Sequence, residues 1–161
     1  MTGAAAKTRV LFVCLGNICR SPMAEGVFRD LVERAGLVGE FEIDSAGTGN
    51  WHIGDPPDQR AVRAAAARGI DISGQRARQV RASDFEAFDH LIAMDGANFE
   101  TLARMAPGNR AGRISLALAH VPGKGRCDVP DPYYGGPEGF ERALDLLDEA
   151  ARGLLNQIAR N

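Results

Sequence analysis

Residues 10–15, Val-Leu-Phe-Val-Cys-Leu, form a nearly unbroken apolar run. A short run of this kind, bounded by turn residues, is the pattern of a central parallel strand covered on both faces. Gly16 to Arg20 interrupt it as a tight polar loop. Ser21-Pro22 then resembles a helix N-cap followed by proline at the first helical position. Met23, Val27, Phe28, Leu31, Val32 and Ala35 recur at three- and four-residue spacing, which predicts a helix with one buried stripe ending near Gly36. Strand, loop and helix in this order turn loop N–H groups and a helix N-terminus toward an anion.

The rest of the chain repeats the alternation. Residues 41–46 read as a strand and 47–54 as a loop. Asp55-Pro56-Pro57 opens a helix that runs to Arg68 and is closed by Gly69. Residues 71–81 are polar and basic and read as surface connection, with Arg76, Arg78 and Arg81 forming a solvated face. A third strand over 90–94 leads through Asp95 into a helix over 97–105, and 114–118 is a fourth strand candidate. Residues 123–139 are crowded with Gly and Pro and predict a long loop. Phe140, Leu144, Leu147, Ala151, Leu154 and Ile158 then keep the helical period. The expectation is an α/β fold: one three-layer domain over 1–161 with its core at about 8–160, a four-stranded parallel twisted sheet carrying helices on both faces.

Bulk properties remove several functions. Nineteen Lys and Arg against twenty-one Asp and Glu give a formal charge of -2, which argues against a chain devoted to nucleic acid. The opening MTGAAAKTR does not read as a secretory signal, and the run at 10–15 is too short to span a bilayer, so no membrane role is expected. Three cysteines point to a reducing compartment, hence a cytoplasmic protein, and no Cys/His set completes a metal site. His52, His90 and His120 are scattered and read as packing or surface residues.

The first loop carries the chemistry. Cys14 ends the first strand at the sheet edge where open α/β folds bind ligands, and Arg20 follows six positions later. The positive potential of loop N–H groups and a helix N-terminus favours an anionic sulfur and also holds a phosphate, to which Arg20 adds a bidentate clamp. Cys14 can then attack phosphorus in line with the ester oxygen. Gly16 lets the backbone turn inward, Asn17 fixes the turn, and Ser21 can donate its hydroxyl to the sulfur. Cys19 is either a small buried residue or a partner for Cys14 in a reversible disulfide.

A leaving group needs a proton, and Asp131 in the long loop is the candidate donor; the alternative is an aspartate that merely caps a turn before Pro132. Tyr133 and Tyr134 are pocket walls or turn-packing residues. Trp51 offers a planar face to an aromatic substrate. Asp95 falls at the same sheet edge as Cys14 and can orient a neighbour.

Four ordered segments, CLGNICRSP from Cys14, SAGT from Ser45, Met94-Asp95 and DPYYG from Asp131, make the chain resemble a low-molecular-weight protein tyrosine phosphatase from Val10 to the last helix. The resemblance implies Cys14 as nucleophile, Arg20 as clamp and Asp131 as general acid, working without metal or cofactor. It implies that Asn17 and Ser45 brace the loop, that Ser21 stabilises the thiolate, and that Leu15, Trp51, Tyr133 and Tyr134 wall the pocket, with Cys19 as the second loop cysteine. Substrates would be phosphotyrosine-containing proteins or small aryl phosphates, and inorganic phosphate the product. Gln75 stands where many members have a histidine facing the loop serine; glutamine can bond Ser21 but cannot carry a charge there. Ile18 stands where relatives resembling arginine phosphatases tend to have threonine, which favours phosphotyrosine. Two alternatives remain: a thiol-dependent arsenate reductase, which would relay through further cysteines although none lies between Cys19 and Cys127, and a noncatalytic phosphate-binding module.

Overall fold

In the computed structural model, which describes residues 6–124 and 127–159, the apolar run becomes β1 (Thr8–Cys14). It pairs in parallel with β2 (Phe41–Gly47) on one side and β3 (His90–Ala93) on the other, and β4 (Ile114–Leu116) pairs with β3. The order β2-β1-β3-β4 makes a four-stranded, wholly parallel sheet. From Val10 to Cys14 β1 is apolar because its side chains alternate between two cores, whereas Thr8 and Arg9 at its start are only partly buried or exposed. Val10, Phe12 and Cys14 join Phe28, Leu144 and Leu147 on one face, while Leu11 and Val13 join Phe85, Leu91 and Leu102 on the other.

The first face is covered by α1 (Arg20–Arg34) and α5 (Pro137–Ala159), with α2 (Gln59–Ala66) packed against both. Phe28 meets Phe12 and Phe41 edge to face, with centroids 5.6 and 5.5 Å away, and so fastens α1 to β1 and β2. The second face carries α4 (Gly96–Met105) and the short α3 (Asp84–Ala87), whose Phe85 is fully buried. The chain leaves β1 for one face and β3 for the other. These divergent exits open a crevice at the carboxyl ends of the two adjacent strands, where Cys14 lies.

Several boundaries differ from the sequence expectation. α1 begins at Arg20, with Cys19 as its N-cap, so Ser21 lies inside the first turn and does not cap it. Pro22 is tolerated there because a first-turn N–H has no partner within the helix. α2 opens at Asp58, whose side chain accepts from the Arg60 N–H, and Asp55-Pro56-Pro57 precedes it as non-helical chain. α3 was not anticipated. β4 gives way at Ala117 to a 3₁₀ turn, and α5 starts at Pro137, which shortens the long loop.

The connection at 71–81 is not simply surface. Ile72, Ala77 and Val80 are buried, and the Gly47 N–H and C=O bond Arg78 and Val80 at 2.8 Å each. Arg76 and Arg81 are exposed as expected, but Arg78 is paired with Asp44 and Asp84 at 3.1 and 3.0 Å. The opening residues 1–5 and the stretch 125–126 of the long loop lie outside the described residues, as does residue 160 of the expected core. Among the described residues no helix is long and apolar enough to cross a membrane.

Candidate active site

Cys14 is the last residue of β1 and is only 3 % exposed. Its Sγ receives the Asn17 backbone N–H at 3.3 Å and lies 3.0 Å from Ser21 Oγ, which the first turn of α1 places beneath it. Asn17 adopts φ 58°, a left-handed conformation that asparagine tolerates better than most residues. Its side chain holds the loop in that shape. Nδ2 donates to Ser21 Oγ at 2.8 Å and to Ser45 Oγ at 3.0 Å, and Oδ1 accepts the Arg78 N–H at 3.0 Å. Ser21 Oγ accepts from Asn17, and its own proton can be given to the sulfur at 3.0 Å or to the Ala46 carbonyl at 3.4 Å.

Gln75 stands behind this brace rather than on Ser21. Its Oε1 accepts from Ser45 Oγ at 3.4 Å and its Nε2 donates to the Pro22 carbonyl at 3.0 Å. Ser21 is already engaged by Asn17 and Cys14, so the expected Gln75–Ser21 contact does not form. The Arg78 contribution was missed in sequence because it comes through the backbone, to which side-chain type gives no clue.

Arg20, also 3 % exposed, is fixed from the other side of the crevice. Nη1 donates to Asp95 Oδ2 at 2.7 Å and to the Val129 carbonyl at 3.0 Å, and Nη2 lies 3.6 Å from Asp131 Oδ2. Burial works against the guanidinium charge, but Cys14, Asp95 and Asp131 outweigh it and raise the pKa above its ordinary value. Asp95 spends its other oxygen, Oδ1, capping α4 through the Asn98 N–H at 2.8 Å.

Asp131 is likewise divided: Oδ1 accepts the Tyr133 N–H at 3.1 Å, and Oδ2 faces Arg20. Turn capping and a place over the site are therefore compatible in one carboxylate. The loop arrives there because the Val129 N–H bonds the Met94 carbonyl at 2.8 Å and Asp128 Oδ1 accepts the Gly96 N–H at 3.0 Å.

These groups share a cavity of about 390 Å³. Cys14, Cys19 and Arg20 belong to its lining, as do the loop residues Gly16 and Ile18 and the carboxylate of Asp131. Leu15, Trp51, Tyr133 and Tyr134 line it while remaining exposed, an apolar surface gathered around a polar centre. The Trp51 loop is tied to the first loop by N–H bonds from Thr48 to the Cys14 carbonyl and from Gly49 to the Leu15 carbonyl, both 2.9 Å. Trp51 folds back over Gly49, where any Cβ would overlap the indole.

His52 lines the cavity as well, packed against Gly16, with Nδ1 3.2 Å from Asp55 Oδ2. It packs, as one of the two expected readings has it, but it does so at the cavity wall, a place that no motif in the sequence marks. His120 bonds Ser115 and Gln157, and burial holds the His90 imidazole below its usual pKa. Both lie outside the cavity lining.

Cys14, Cys19 and Cys127 are free thiols, and Cys127 is exposed. Burial pushes the Cys19 thiol far above the ordinary cysteine range, and Asp58, Cys14 and Asp131 add to the effect. Among the described residues no three His, Cys, Asp or Glu side chains cluster as metal ligands.

Comparison with known proteins agrees with this geometry. The family model described as low molecular weight phosphotyrosine protein phosphatase matches residues 9–161. The chain is 46 % identical over 151 residues to the low molecular weight protein-tyrosine-phosphatase YfkJ of Bacillus subtilis, covering 94 % of this chain and 96 % of that protein. It is also 46 % identical over 153 residues to the low molecular weight phosphotyrosine protein phosphatase of Schizosaccharomyces pombe, covering 94 % and 97 %. The crystal structure of a protein tyrosine phosphatase from Entamoeba histolytica, with Hepes in its active site, superposes with a TM-score of 0.92 at 36 % identity, covering 96 % of this chain and 98 % of that one. With the match running through both the phosphate loop and the Asp131 loop, the chain belongs to the low molecular weight phosphotyrosine protein phosphatase family.

Proposed function

We propose that the chain, acting as one domain, hydrolyses phosphotyrosine and related aryl phosphates through a cysteinyl-phosphate intermediate. The observation that carries this reading is the convergence of Cys14 Sγ, the buried Arg20 guanidinium and the Asp131 carboxylate on one aromatic-walled cavity. Cys14, as thiolate, attacks phosphorus as the bond to the phenolic oxygen breaks. Asp131 in its acid form delivers a proton to that oxygen, and Arg20 with the loop N–H groups takes up the charge on the equatorial oxygens. Asp131, now a carboxylate, accepts a proton from the water that attacks the thiophosphate. Cys14 leaves as thiolate and inorganic phosphate is released. Leu15, Trp51 and Tyr133 give the substrate ring an apolar seat, which a phosphoserine side chain would leave unfilled.

The test is hydrolysis of a phosphotyrosine peptide in reductant and chelator, beside a phosphoserine peptide, phosphoarginine and arsenate. Phosphotyrosine should be the preferred substrate, and Asp131→Asn should lower kcat/KM by about 10²-fold, within the range of general-acid effects. Arsenate reduction without ester hydrolysis would replace this reading with a reductase. Phosphate binding without any turnover would leave only a binding module.

Asn17→Gly tests the brace. Glycine accepts the left-handed conformation but loses three side-chain hydrogen bonds. The expected loss in kcat/KM is about 10²-fold, because a misplacement of about 1 Å in a catalytic constellation has that effect. The stability change should stay near 3 kcal/mol, at about 1 kcal/mol per bond. Thermal denaturation and steady-state kinetics on the same preparation separate the two effects, and a variant with unchanged kinetics would remove Asn17 from the site.

A further inference from the structure

Arg60, at the second position of α2, connects the two loops of the site from outside the cavity. The Asp58 N–H bonds the Ile18 carbonyl of the phosphate loop at 2.8 Å. The Asp58 carboxylate then grips Arg60 with both oxygens, at 3.0 Å to Nε and 2.9 Å to Nη2. The guanidinium centre lies 5.3 Å from the Tyr133 ring centroid and 4.9 Å from that of Phe140, the first core residue of α5. Tyr133 in turn gives its N–H to Asp131 Oδ1. A continuous path therefore runs from Ile18 through Asp58, Arg60 and Tyr133 to the carboxylate.

We propose that Arg60 is a positioning residue for Asp131, fixing the Asp131 loop at the height over the phosphate loop from which the carboxylate reaches the leaving oxygen. Upstream of Asp131, the loop is anchored by Asp128 and Val129. Downstream, the turn at 132–134 presents its aromatic ring to Arg60. An ordinary half-exposed ion pair at a helix start contributes little to placement. This one combines a two-oxygen fork with a flat cation against two rings, geometry that arginine supplies and lysine only partly reproduces.

The inference rests on Asp131 being the general acid, and the experiment keeps the two claims apart. We would measure kcat/KM, which reports the steps up to phosphoenzyme formation, for 4-nitrophenyl phosphate and for phenyl phosphate. The nitrophenolate needs little protonation to leave, whereas phenolate depends on the acid. Arg60→Met should lower kcat/KM by about tenfold for phenyl phosphate and by no more than about twofold for 4-nitrophenyl phosphate, a fraction of the full acid effect. Arg60→Lys should recover part of the difference. In an Asp131→Asn background Arg60→Met should change the ratio no further, the non-additivity expected of residues acting as one unit. Asp58→Asn keeps an N-cap on α2 and releases the fork, so it should reproduce the pattern without unfolding the helix.

Equal losses on both esters, or a ratio change that persists without the Asp131 carboxylate, would overturn the positioning role. A failure of the acid assignment itself has another signature: Asp131→Asn alone would then affect both esters alike.

Discussion

Replacing Cys14 by serine should leave a folded protein that still binds phosphate but turns over a phosphotyrosine peptide at least about 10⁴-fold more slowly, as for nucleophile removal in other covalent enzymes. The reason lies in what surrounds the sulfur. Asn17 offers it a backbone N–H and Ser21 a hydroxyl 3.0 Å away, groups that would stabilise an anionic sulfur and would do nothing to activate a neutral hydroxyl. Among its hydrogen-bond partners in the described residues there is no base to take a proton from a hydroxyl. A thiolate can form in such a site, whereas a serine stays neutral and unreactive. Near-isosteric replacement at a buried position should leave the fold intact, and thermal denaturation checks this. Rapid quenching with a radiolabelled phosphopeptide should trap a phosphoenzyme in the parent chain and none in the variant. Retention of activity within tenfold would rule out the covalent route.

Arg20→Lys keeps the charge and should still lower kcat/KM by about 10³-fold, comparable to loss of an arginine that stabilises a phosphoryl transition state. Asp95 and the Val129 carbonyl occupy Nη1 and so set the plane of the guanidinium. In the proposed mechanism it is the edge formed by Nε and Nη2 that would meet two phosphate oxygens in parallel, with Nη2 also facing Asp131. A lysine ammonium has no such edge. In pairing with Asp95 it would be drawn from the phosphate position, and the Val129 carbonyl would lose its donor. Inorganic phosphate inhibition should weaken with turnover, because the same edge serves ground state and transition state. A lysine variant with unchanged phosphate inhibition would show that charge alone suffices.

The segment from Val10 to Ser21 was legible because its information is local. A strand segment buried on both faces must be apolar at each of those positions, and the loop that follows brings Cys14, Asn17, Arg20 and Ser21 together within eight consecutive residues, 14–21. Asp131 was legible through its motif, although spacing left it divided between turn cap and proton donor. The structure shows that one carboxylate oxygen serves the turn while the other faces Arg20. Ser21 was misread as a helix cap because serine before proline is a good local signal. The helix starts two residues earlier, with Cys19 at the cap position, and the hydroxyl is turned to the sulfur. Gln75 was placed near the loop correctly but against the wrong partner, since saturation of Ser21 depends on Asn17 and cannot be read from either position alone.

His52, the Arg78 backbone and the Asp58–Arg60 pair left no comparable trace. Each acts across a gap in sequence: Arg78 on Asn17 over 61 positions, and Arg60 on Tyr133 in the turn at 132–134 and on Phe140 of α5. The sequence by itself determined the parallel α/β layering and the tight loop that follows Cys14, because periodicity and short-range turn geometry act between neighbours along the chain. Only the tertiary structure decided which side chains hold that loop and carry Asp131 to it. Those contacts arise where the crossovers of β1 and β3 bring distant segments to the same sheet edge, and their partners are chosen by packing that no single segment encodes.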